Sequence, residues 1–207
     1  MANFEAEDGT TRDELVQRVA LMEAMIAEGR KSTARFGWIF VMWGLVYFAA
    51  IAWCVYLPFK IWAWPVCVAV AIATSIAVKA RQKRASGRGE DRYSRSIEAV
   101  WKAMGSAIGL YVIAAIASHH AGSPAYVAAI LFFIGLAHAI SAMILRWGVQ
   151  GVVAAIWWAG GIAVFFVSAG QSIAIFLVAT FFGMILFGLY AMWLERRRAA
   201  ALELHHA

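Results

Sequence analysis

One ionisable side chain, His138, stands in the middle of a long apolar run, within Gly135-Leu136-Ala137-His138-Ala139-Ile140-Ser141. An imidazole surrounded by hydrocarbon is costly to keep, so a titratable group at that depth is a functional candidate by default. The competing reading is a structural imidazole, hydrogen-bonded to a neighbouring hydroxyl such as Thr74, Ser75 or Ser141. Trp43, Tyr47, Trp157 and Trp158 also fall mid-run, away from the boundaries where membrane tryptophan concentrates. With His138, Thr74, Ser75, Ser141, Gln150 and Phe181 they make up the candidate ligand-binding or pore-lining set. Ring faces attract cations and lipophilic solutes, and hydroxyl and amide groups orient polar ones. Alternatively the same rings fill a bundle whose small residues, Gly105 and Gly109 among them in GxxxG spacing, set close helix contacts.

Other chemistries lack their residues. All 12 Asp and Glu lie outside the apolar runs, which disfavours ion-coupled antiport through a buried carboxylate. The spacings GxxxxGK[ST], GxSxG, HExxH and GxGxxG are absent, so neither nucleotide binding nor a familiar hydrolase is signalled. Cys54 and Cys67 sit inside apolar runs without CxxC or His-rich neighbours and read as small buried hydrophobes. His119 and His120 lie at a chain reversal, as a metal or external pH-sensing pair or as ordinary loop histidines. A haem needs a second axial ligand at the depth of His138, and the sequence offers none; no cofactor or metal is expected.

The elements that must position these residues are membrane helices. Of 207 residues, 63% are hydrophobic and only 14% charged, against about 25% charged in soluble domains. The mean hydropathy is +0.73. Six runs reach the roughly 20 residues that a bilayer core of about 30 Å demands. They are Phe36 to Leu57, Ile61 to Val78, Ala99 to Ser118, Ala125 to Leu145, Val149 to Val167, and Ser172 to Leu194. Short breaks at Pro58, Gly122-Ser123-Pro124, Gly148 and Gly170 predict three antiparallel hairpins, with one long charged connection from Lys79 to about Glu98. Glu98 and Lys102, four apart, are placed to pair at the entrance to the third helix. The fold class is therefore all-α, a polytopic membrane protein with six transmembrane helices and a short N-terminal amphipathic cytoplasmic helix. Its regions are 1–34, the membrane domain 35–195, and a basic tail 196–207.

Positive charge is retained on the cytoplasmic side. Seventeen of the 18 Lys and Arg fall on one side, Lys60 alone on the other, so both termini are expected in the cytoplasm and the protein in the plasma (inner) membrane. Because the first apolar run begins near residue 36, after acidic and basic stretches, no cleavable signal peptide is expected. Trp53, Trp62 and Trp64 near one boundary and Trp38, Trp101, Trp147 and Trp193 near the other read as interfacial anchors without a ligand role. The basic residues flank apolar runs instead of forming an exposed patch, which argues against nucleic acid as a partner. Arg81, Lys83, Arg84, Arg88, Arg92 and Arg95 form a juxtamembrane cluster suited to anionic lipids, although the orientation rule alone demands such a cluster.

Two further patterns bear on organisation. Gly44-Leu45-Val46-Tyr47-Phe48-Ala49-Ala50-Ile51-Ala52 matches Gly109-Leu110-Tyr111-Val112-Ile113-Ala114-Ala115-Ile116-Ala117 at six of nine positions, 65 residues apart. Hairpin repeats of this kind keep the same orientation and can surround a path along the membrane normal. Ahead of the membrane domain, Thr11-Arg12-Asp13-Glu14 has the form of a capping box opening a helix over about 11–29. Leu15, Val19, Met22 and Ile26 then give that helix one apolar stripe. The stripe needs a partner: the bundle itself, a second copy of the chain, or lipid headgroups.

The function expected from these features is a small channel or facilitator, for a small solute or lipophilic ligand, that does not rely on carboxylate coupling. A membrane-embedded sensory or scaffolding protein, acting through the N-terminal helix and the basic loop, is the alternative. An enzyme acting on a lipid or quinone comes third.

Overall fold

The computed structural model describes residues 14–27, 30, 37–86 and 92–206. Residues 14–27 form helix α1. There follow α2 (Gly37–Tyr56), a 3-10 turn (Lys60–Trp62), α3 (Ala63–Ser86) and α4 (Arg92–Ala117). The second half comprises α5 (Pro124–Leu145), α6 (Gly148–Ala163) with a 3-10 turn (Val164–Phe166), α7 (Ala169–Thr180), a π-helical turn (Phe181–Leu186) and α8 (Phe187–His206). Because α7, the π turn and α8 follow one another without a break, six helices are long and apolar enough to cross a membrane. No strand occurs among the described residues. Thr11, Arg12 and Asp13 of the capping box lie outside the described residues.

Local chemistry sets the reversals. Ser123 caps α5 by accepting a hydrogen bond from the Tyr126 amide at 3.1 Å, with Pro124 in the first helical position where its missing N–H costs nothing. At the other end Arg146 adopts a left-handed conformation, φ 48°, and the Trp147 amide reaches back to the Ala142 carbonyl at 3.0 Å. The chain thus reverses within two residues and lays α6 along α5. Ser168 opens α7, its amide donating to the Gln171 side chain at 3.0 Å.

Helices α3 and α4 run past their apolar segments into the charged connection. Glu98 holds them together there, 2.9 Å from Lys79 and 3.2 Å from Lys102, so the pairing expected from sequence acquires a second lysine from the neighbouring helix. Similarly, α8 continues through Arg196 to His206, where the sequence suggested a separate tail. Its Ala, Leu, Glu and Arg residues are strong helix formers and carry it on.

Neighbours within each expected hairpin touch, but the tightest pair is α5 with α6, which joins the second expected hairpin to the third. Helix α2 packs on α3, α8 and the π turn, whereas α3 leans chiefly on α2 and α4 on α5. Glycine makes the α2–α8 seam. A Cβ on Gly188 would stand 2.6 Å from the Gly37 carbonyl oxygen, and one on Gly44 would stand 2.7 Å from Ile185. Gly105 and Gly109, expected to set close contacts, instead have no neighbouring atom within 4 Å of such a Cβ. The two copies of the sequence echo between α2 and α4 therefore pack differently at their shared glycine: a Cβ on Gly44 would enter a seam, and one on Gly109 would meet no atom.

Candidate functional site

Helix α5 presents Leu131, Ile134, His138, Ser141 and Leu145 at three- and four-residue spacing, all fully or almost fully buried. Helix α6 presents Gln150, Val153, Ala154 and Trp157 on its own inward stripe. The α5–α6 reversal faces the two stripes inward, and four rings close around the imidazole. Trp101 meets His138 edge to face at 5.0 Å between ring centres, and Phe187 does so at 5.5 Å. Phe40 lies at 5.6 Å and Trp157 stacks at 6.5 Å. Four separate helices, α2, α4, α6 and α8, supply these rings. His138 has no exposed surface.

Inside this region polar atoms collect without protein partners. Nδ1 and Nε2 of His138, Oγ of Ser141, both side-chain heteroatoms of Gln150, Nε1 of Trp157 and Oγ1 of Thr180 are all buried and make no hydrogen bond within the protein. More than about 90% of buried polar groups in folded proteins are paired, and an unpaired one costs about 1–3 kcal/mol. These groups gather on the inward faces of α5, α6 and α7, and Nε1 of Trp38 on α2 and of Trp101 on α4 are likewise buried without a partner. The Trp157 indole lies flush on the π turn, where a Cβ on Gly183 would stand only 2.2 Å from Nε1. π turns recur at functional sites because they widen the helix and loosen its ladder.

Of the residues proposed from sequence, the structure brings His138, Ser141, Gln150 and Trp157 into this buried stripe and adds Thr180. Trp43 and Tyr47 belong to an adjoining ring cluster, 5.9 Å apart, with Tyr47 5.6 Å from Phe176, which in turn reaches Trp157 at 6.3 Å. The others stand elsewhere. Thr74 is exposed on α3, and the Ser75 hydroxyl donates to the Ala71 carbonyl of its own helix at 2.8 Å, so neither approaches the imidazole as a partner. Phe181 faces outward, 41% exposed, and Trp158, 36% exposed, lies against α5 outside the stripe, its indole edge on Gly135 and its Nε1 donating to the Phe132 carbonyl at 3.4 Å. Both occupy helical positions directly next to an inward residue, Trp157 and Thr180, which turns them about 100° off the core face.

Sequence reasoning missed three of the four rings. Trp101 read as an interfacial anchor, yet it packs on His138, and Phe40 and Phe187 carry nothing in the sequence that sets them apart from the other phenylalanines of the apolar runs. The available signal was the stripe of small and polar residues on α5 and α6, Gly135, His138, Ser141, Gln150 and Gly161, recurring at helical spacing among large apolar neighbours.

The remaining candidates lie near the ends of the bundle. No group of three metal-ligating side chains occurs among the described residues. His119 takes a left-handed turn conformation, φ 60°, and His120 Nδ1 lies 2.7 Å from the Ser118 carbonyl oxygen. Arg81, Arg84 and Arg95 are exposed, whereas Arg88 and the side chains of Lys83 and Arg92 lie outside the described residues. On α1, Leu15, Val19 and Met22 are exposed and Ile26 is half-buried, so the bundle does not cover the stripe. Comparison with protein-family models, curated proteins and solved structures finds no match to the chain.

Proposed function

We propose that the chain is a small multi-pass membrane channel or facilitator for uncharged, hydrogen-bonding solutes, with its path running past His138 between α5, α6 and the α7–α8 rod. The unpaired buried polar atoms of His138, Ser141, Gln150, Trp157 and Thr180 carry this reading. The amide, hydroxyls and indole offer donors and acceptors without formal charge, and no carboxylate occurs in the apolar runs to hold a metal cation. His138 is enclosed by rings, so this is the closed form. Conduction then requires Trp157 and the π turn to part, a movement favoured by the loosened backbone of Phe181–Leu186.

In this reading the end bearing Arg81, Lys83, Arg84, Arg88, Arg92, Arg95 and Arg146 faces the cytoplasm, as the distribution of Lys and Arg requires, and both termini lie there in the plasma membrane. The exposed arginines at the ends of α3 and α4 then meet anionic headgroups, each contributing about 1 kcal/mol to that attraction.

A second reading, a sensory or scaffolding protein, is favoured by one observation. The exposed stripe of α1 is a docking face, and Arg30 just beyond it donates from Nε to the Leu145 carbonyl at the α5–α6 reversal, 2.6 Å away. The two readings separate by flux. Purified protein in liposomes should pass glycerol or urea faster than empty vesicles in a stopped-flow swelling assay, and His138→Phe should return the rate to background. Wild-type vesicles indistinguishable from empty ones for both solutes would leave the docking role as the better account.

A further inference from the structure

The apolar stripe of α1 has a definite register. Reading Leu15 as d, Val19 becomes a, Met22 d and Ile26 a, which puts β-branched residues at both a positions and residues not branched at Cβ, one of them leucine, at both d positions. That division is the one preferred by parallel two-stranded coiled coils. The same register places Arg18 at g and Glu23 at the following e, the two positions that face each other across a parallel pair. Leu15 is 60% exposed, Val19 49% and Met22 51%, and Glu23 joins Leu15, Val16, Val19 and Ala20 in lining a shallow groove. Stripe and charge together describe one occupant.

We propose that α1 is a self-recognition element that pairs in parallel with α1 of a second copy of this chain, Val19 and Ile26 meeting their equivalents and Arg18 of each copy bridging to Glu23 of the other. Within one chain Arg18 makes only a loose 3.8 Å approach to Glu14, with both side chains largely exposed, so redirecting it across the pair costs little. Two heptads are too short to associate strongly when free. Here each helix is tethered to a membrane bundle: Arg30 donates to the carbonyl oxygens of Leu145 and Arg146 at the end of α5, which fixes the C-terminal side of α1 against the bundle. Two copies inserted in the same sense share a two-fold axis along the membrane normal, which keeps upright helices parallel, and the tether raises their effective concentration.

The test uses the full-length protein in membranes, with Cys54 and Cys67 replaced by alanine and single cysteines introduced on α1. Leu15→Cys and Ile26→Cys should each form a disulfide with their own equivalents under mild oxidation, while Gln17→Cys, on the opposite face, should not. Arg18→Glu should abolish both crosslinks, and Arg18→Glu with Glu23→Arg should restore them. Equal crosslinking at Gln17, crosslinks only between Leu15→Cys and Ile26→Cys, or no crosslinks at all would overturn the proposal. So would an Arg18→Glu variant that crosslinks as before. The substitutions on α1 lie outside the membrane bundle, and the Cys54→Ala, Cys67→Ala background is the common reference for all of them, so loss of the fold does not mimic loss of the pair.

Discussion

Helix α5 and the α7–α8 rod each bury 44% of their apolar window, whereas α3 and α4 bury 11% and 6%. All six helices are nonetheless apolar enough to cross a bilayer. The comparison teaches that apolarity decides whether a helix enters lipid, while glycine and polar residues decide whether it enters the core. Lipid tails are as apolar as leucine, so a membrane helix gains nothing by burying leucine and gains contact by offering a place for a close approach. The packed group has Gly135, Gly161, Gly183 and Gly188 in tight seams. Helix α3 contains no glycine, and a Cβ on either of the two in the membrane part of α4 would meet no atom within 4 Å. Of the buried polar atoms without partners, those of His138, Ser141, Gln150, Trp157 and Thr180 fall in the packed group and only Nε1 of Trp38 and Nε1 of Trp101 fall on α2 and α4, so the candidate site lies around α5 and not beside the basic loop.

Substitutions can break or sharpen this contrast. The largest effect is expected for Trp157→Ala, which empties a fully buried indole and should cost about 3–5 kcal/mol, whereas Trp158→Ala, one position on, removes a partly exposed ring that lies on Gly135 and should cost about 1–2 kcal/mol. Thermal unfolding in detergent checks the pair, and equal losses would remove the distinction between inward and outward faces. Next is the matched glycine pair of the sequence echo. Gly44→Ala, meeting Ile185, should cost about 1–3 kcal/mol, and Gly109→Ala should be neutral or slightly stabilising because alanine favours helix and nothing obstructs it.

His138→Phe should leave the melting temperature unchanged or raised, by up to about 2 kcal/mol in stability, because it removes two unpaired ring nitrogens and keeps a ring in the box. A marked loss of stability would mean that the imidazole is a structural tie. The smallest effect belongs to Lys79→Ala. Breaking its bridge to Glu98 should cost no more than about 1 kcal/mol, in keeping with an ion pair at the solvated edge of two loosely held helices.

Much of the architecture is legible in the sequence. The run Ala125 to Leu145 coincides with α5 to within one residue, because Ser123-Pro124 and Arg146-Trp147-Gly148 encode a cap and a reversal in residue types. The second run ends at Val78, eight residues short of the end of α3, since the loss of apolar residues marks the membrane boundary and not the helix boundary. The site was legible only in part. His138, Ser141 and Gln150 stand out because polarity is rare in such runs, whereas Phe40, Trp101 and Phe187 resemble every lipid-facing ring. Thr74 and Ser75 attracted notice by type alone, and which helices surround α5 is a matter of long-range packing that local pattern does not carry. The π turn at Phe181–Leu186 leaves no composition signal at all.

The central claim is that the enclosed stripe around His138 receives small polar molecules. Water-edited solid-state NMR on histidine-labelled protein in lipid bilayers measures this directly, with the His138 ring assigned by its loss in His138→Phe. The account predicts polarisation transfer from water to the His138 ring nitrogens despite their complete burial, approaching the transfer seen at the loop residues His119 and His120. A water-contacted His119 and His120 beside a His138 ring that receives no transfer would contradict it.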